Sequence, residues 1–143
     1  MNERPAIQKL RQSGWTPDRR VDTAPDFRAF EKEGYPTFPV VTEFVRQCSG
    51  LRIPIDHGGP DEIWFSAERA CGLLHRAWTE DYSRRAGTGL VPVGAAYREH
   101  LTLLVGENGN WFGGYDDEFG LLGEDVLSAL DNLILDGDFV RRL

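Results

Sequence analysis

The chain has 143 residues, 41% of them hydrophobic, with 16 basic and 23 acidic side chains for a formal charge of −7. That length is one domain, and a chain of this size removes roughly 68–70% of its unfolded surface from water on folding, so a disulfide- or metal-stapled scaffold is excluded. The two cysteines, Cys48 and Cys71, form no C-x-x-C pair, and three scattered histidines complete no zinc pattern. A reduced, cytoplasmic protein that holds no metal or cofactor is expected. No apolar run approaches the roughly 18 residues of a membrane helix, and the start, Met1-Asn2-Glu3-Arg4-Pro5, lacks the layout of a signal peptide.

Three short helices are predicted first, each apolar stretch stopping at a glycine followed by a large apolar residue: Gly14-Trp15, Gly34-Tyr35 and Gly50-Leu51. That pair suits the C′ and C″ positions of a Schellman cap. The first helix opens at Pro5 and turns Ile7 and Leu10 inward; the second opens at Thr23 with Asp26 completing an approximate capping box and buries Phe27 and Phe30. The third places Val40, Val41, Phe44, Val45 and Cys48 at helical spacing. Leu51, Ile53 and Ile55 then alternate with Arg52 and Pro54, which reads as an edge strand because proline cannot donate to a ladder. A turn at His57-Gly58-Gly59-Pro60 leads into a strand over Glu62 to Phe65. One long helix is expected from a Ser66 cap to Gly87, with Cys71, Leu74, Trp78 and Tyr82 along its apolar face.

From Leu90 the pattern predicts an antiparallel meander: Leu90 to Tyr97, Leu101 to Val105 and Asn110 to Tyr115, with Gly106 to Gly109 as a hairpin loop. A last helix opens near Gly123, with Glu124 and Asp125 against its positive end, and stops at Gly137. Helices before and after hairpin-linked strands, without β-α-β alternation, predict a single α+β domain over 1–143 with a mostly antiparallel sheet flanked by helices.

Few residues suggest chemistry. Gly87-Thr88-Gly89 runs from helix to strand, the reverse of a phosphate loop, and the calcium-loop-like start at Asn108 has Phe119 where the bidentate carboxylate belongs. His57, His75 and His100 read as surface residues, with His75 on the polar side of the long helix, and Ser66 reads as a cap rather than a nucleophile. Core packing accounts for at least three of Trp15, Trp64, Trp78 and Trp111. Trp64, between Ile63 and Phe65, is a candidate to face outward as a partner anchor beside Asp61 and Glu62.

The charge distribution is more informative. From Glu107 to Asp138 the acids are Glu107, Asp116, Asp117, Glu118, Glu124, Asp125, Asp131, Asp136 and Asp138, and Lys and Arg are absent; the segment carries −9 and the rest of the chain +2. An anionic face is expected there, and direct nucleic-acid binding is not. Tyr115, Asp116, Asp117 and Glu118, at the tip of the meander, are the leading candidate partner-binding residues. A small hydrolase or ligand-binding domain using Asp116 to Glu118 with His100 is the alternative.

Leu10-x-x-x-Gly14-Trp15, Arg19-x-Val21, Phe44-x-x-x-Cys48-Ser49-Gly50-Leu51, Gly89-x-x-Pro92-Val93-Gly94, Gly109 in a hairpin and Gly123 before Ala129-Leu130 occur in an order that resembles the SUKH superfamily of bacterial immunity proteins, specifically its third immunity group. The resemblance spans nearly the whole chain. It implies an α+β fold, no catalytic residues, and neutralisation, by binding in the cytoplasm, of a toxin of a polymorphic toxin system, often a basic nuclease or nucleic-acid deaminase domain.

Overall fold

The computed structural model describes residues 4–56 and 58–143; the expected turn at His57 lies partly outside them. Among the described residues the order is α1 (Pro5–Gln12), α2 (Ala24–Glu33), α3 (Pro39–Cys48), β1 (Arg52–Asp56), β2 (Pro60–Trp64), α4 (Ala67–Leu73), α5 (Arg76–Ala86), β3 (Leu90–Ala96), β4 (Leu101–Gly106), β5 (Trp111–Tyr115), β6 (Glu118–Gly123), α6 (Val126–Leu135) and β7 (Arg141–Arg142). The strands form one antiparallel sheet in sequence order, with β1 and its Pro54 at an edge. The α+β expectation is met.

The helix endings divide two to one. Trp15 N–H donates to the Leu10 carbonyl and Tyr35 N–H to the Phe30 carbonyl, the six-to-one bond of a Schellman cap in both cases. Gly50 instead donates to the Phe65 carbonyl at 2.7 Å, which fastens the end of α3 to the residue that follows β2. Thr23 makes no side-chain cap bond, and Asp26 turns inward rather than completing a capping box. Its carboxylate accepts from the Ser49 hydroxyl at 2.8 Å and from Ala67 N–H at 3.2 Å, so it joins α2, the end of α3 and the start of α4.

The single long helix after Ser66 is corrected to two. Ser66 Oγ does accept from Arg69 N–H, but Leu74 is extended at φ −114, ψ 115, and His75 begins a new helix by accepting from Ala77 N–H through Nδ1. The break redirects the chain: Cys71 packs into the larger core, while Leu74 and Tyr82 pack on the opposite side of the sheet. β6 and β7 were also not expected.

Strand alternation sorts the core into two layers. Leu103 and Leu104 in β4, and Leu122 and Leu121 in β6, are neighbours that point to opposite layers. The larger layer lies beneath helices including α1, α3 and α6, with Phe44, Phe65 and Trp111 packed edge to face or tilted at its centre. The smaller is roofed by α5, where Tyr82 stacks on Phe119 at 4.5 Å and Phe119 on Phe112 at 5.4 Å. Of the four tryptophans only Trp111 is fully buried and Trp15 is packed partly against the core; Trp78, 37% exposed, and Trp64 correct the expectation of three core tryptophans.

Candidate functional site

Tyr115, Asp116, Asp117 and Glu118 form the β5–β6 hairpin tip, with Tyr115 and Glu118 paired and Asp116 in the left-handed region at φ 50. The backbone of this tip is clamped from outside. The Tyr82 hydroxyl donates to the Asp116 carbonyl, and Arg85 Nη2 donates to the Asp117 carbonyl at 2.9 Å. Tyr82 reaches there because Gly114 beneath it has no side chain; a Cβ at that position would lie 2.5 Å from the ring. Tyr115 is 44% exposed, and the carboxylates of Asp116 and Asp117 have no partner among the described residues. Glu118 is paired with Arg142.

That pair revises the expected anionic face. Bases from outside the acidic segment fold onto it: Arg4 pairs with Asp131 at 2.8 Å, and Arg142 lies 3.9 Å from Asp138 as well as against Glu118. Asp125 caps α6 by accepting from Ser128 N–H, a bond that holds its carboxyl below the ordinary value. The surface is anionic in patches, and the hairpin tip is one of them.

The second candidate group sits elsewhere. Register runs Trp64, Ala95, Thr102, Gly114 across four strands, which places Trp64 roughly 14 Å from the hairpin at ~4.8 Å per strand. Alternation then points Trp64 and Tyr115 to opposite faces of the sheet. Ile63 and Phe65 are buried and Trp64 faces outward, but the Arg52 guanidinium covers its ring at 3.8 Å and also pairs with Glu62 at 3.2 Å. Asp61 accepts from Arg98 N–H at 2.9 Å. This group is engaged within the fold.

Asp61 belongs to a device the sequence did not reveal. Tyr97, Arg98 and Glu99 are all left-handed, at φ 54, 57 and 67, a conformation costing roughly 1–2 kcal/mol per residue without glycine. Each is held: the Tyr97 hydroxyl donates to the Leu133 carbonyl, Asp61 accepts from Arg98 N–H, and Glu99 accepts two bonds from Arg69 at 2.8 and 2.6 Å. The Arg69 guanidinium keeps the Glu99 carboxyl below its usual range. The turn fixes His100, which lines a cleft of about 390 Å³ with Tyr115, Phe139 and Arg142. Tyr115 shares that cleft with His100, whereas Asp116 and Asp117 are not among its lining residues.

The fold also brings together apolar residues that local sequence does not mark as a site. Leu135, Phe139 and Val140 line a larger, contiguous cleft of about 870 Å³ between α6 and the start of β7. One signal was available: Leu133-Ile134-Leu135 puts three apolar residues in succession on an amphipathic helix, so one must face water. No group of three or more His, Cys, Asp or Glu among the described residues is placed to hold a metal ion.

A helix-flanked antiparallel sheet, with free carboxylates on a clamped hairpin, defines a single-sheet α+β protein with a fixed surface. A family model for the SUKH-3 immunity protein matches residues 3–136, and the chain belongs to that family. No curated protein and no solved structure gives a significant match.

Proposed function

We propose that this protein neutralises a toxin of a polymorphic toxin system by binding it directly in the cytoplasm, without turnover, and that the toxin acts on nucleic acid. The family match over 3–136 carries this reading, since an immunity protein implies a cognate toxin. The hairpin tip supports the finer part. Asp116 and Asp117 hold unpaired carboxylates on a backbone fixed by Tyr82 and Arg85, and an enzyme that acts on nucleic acid presents a basic cleft to which such charges steer an inhibitor. Tyr115 beside them is an exposed aromatic of the kind enriched at interfaces. Asp61, Glu62 and Trp64 form the secondary surface.

The test is co-expression with the protein encoded by the adjacent gene, scored by survival and co-purification. Asp116→Lys with Asp117→Lys is expected to slow association several-fold at low salt and to lower the melting temperature by no more than a few degrees, because surface charges contribute little to folding while lysine tolerates the left-handed backbone at 116 less well than aspartate. Glu31→Lys with Glu80→Lys, on exposed positions of α2 and α5, is the equal-charge control. Equal losses from both pairs would show that net charge alone acts, and failure of the wild-type pair to associate would end the toxin-binding reading.

A further inference from the structure

Leu135 and Val140 are 67% and 66% exposed, above every other large apolar side chain described, and both line the cleft between α6 and β7. This exposure is built on a fastened backbone. Asn132 Nδ2 donates to the Leu122 and Asp138 carbonyls at 3.1 and 2.7 Å, and Val140 N–H donates to the Leu121 carbonyl at 2.8 Å. Between them the Phe139 ring seats over Gly120, where a Cβ would lie 2.5 Å away. A rigid apolar surface left open to water, rimmed by polar groups, is characteristic of an interaction site.

The rim names the occupant. Glu124 and Asp136 line the cleft without a charged partner among the described residues, Asp138 has only Arg142 at 3.9 Å, and the lining base Arg4 is committed to Asp131. Nucleic acid, free phosphate and anionic membrane surfaces are repelled by that balance. A second copy docked through the same face would set these carboxylates against themselves. A cationic protein segment with an apolar side chain among its Lys and Arg residues satisfies both floor and rim.

We infer that the cleft between α6 and β7 anchors a basic, apolar-bearing segment of the toxin, with Leu135 and Val140 as its contact surface and Glu124 and Asp136 as its charged rim. This rests on the toxin-binding reading and adds the place and the chemistry. The probe is the purified toxin domain encoded beside this gene, with association and dissociation rates measured against wild type and two double variants. Leu135→Ser with Val140→Ser is expected to weaken binding at least tenfold, mainly through faster dissociation, because exposed apolar area is what binding would bury. Glu124→Lys with Asp136→Lys is expected to slow association several-fold at low salt. All four positions are on the surface, so melting temperatures close to wild type verify the fold. Wild-type binding that both variants retain within twofold overturns the inference and leaves the toxin-binding reading standing. Absence of wild-type binding overturns both. A dimer of the isolated protein that Leu135→Ser with Val140→Ser dissolves would assign the cleft to a second copy and also overturn the inference.

Discussion

Asp26 shows how much one side chain can depend on its tertiary setting. Its helical phase was compatible with a capping box, yet the carboxylate is buried against Ser49 and Ala67, and burial pushes its pKa above the ordinary value despite those two bonds. A raised folded-state value means the favourable state is the protonated one: the stability Asp26 contributes is greatest below its unfolded value and falls as pH rises through the folded one. Urea unfolding of wild type and Asp26→Asn at pH 4 and pH 7 is therefore expected to show the variant gaining relative stability at the higher pH, and a difference that does not change with pH would refute it. Cys48 and Cys71 were placed on apolar faces by spacing alone, and both are buried and free, with burial pushing each thiol up to about 12. Thiol titration of native protein at pH 8 is expected to be slow for both and to become rapid in denaturant.

At the scale of elements, what was legible came from local chemistry. Ser66 and the Gly14 and Gly34 endings were readable because a cap is decided within a few residues. Ser66→Ala is expected to cost about 1 kcal/mol in unfolding free energy. The division of the Ser66 to Gly87 stretch was not readable, since Leu74 continues the helical apolar phase and only the need to cover both sheet faces breaks it. The same packing makes Gly114→Ala a test of how α5 is seated: the added methyl meets the Tyr82 ring, and a loss of about 1–3 kcal/mol is expected in urea unfolding. In the 97–99 turn, Arg98→Gly keeps the N–H that Asp61 accepts and removes a left-handed side chain, so a gain of up to about 1 kcal/mol is expected, whereas Arg98→Val is expected to destabilise.

For the whole molecule, Arg85 links the helix over the smaller core layer to the C-terminal side of the sheet. It donates to the Asp117 and Leu143 carbonyls and pairs with Asp81, tying α5 to the hairpin tip and the end of β7. Arg85→Ala is expected to lower amide-exchange protection at 117–120 and 140–143 while leaving β3 and β4 protected; uniform loss would show that the sheet responds as one unit. The sequence by itself determined the α+β class, the edge position of β1, the meander from Leu90 and the family, because periodicity, proline and glycine placement act over short stretches and their order survives without coordinates. It also located the acidic segment. Only the tertiary structure decided which of those carboxylates remain unpaired, because Arg4 and Arg142 reach them from outside the segment. It likewise decided that Trp64 and Tyr115 face opposite sides, and that Leu135 and Val140 share one cleft. Charge neutralisation and surface continuity depend on distance in space, which sequence separation does not encode.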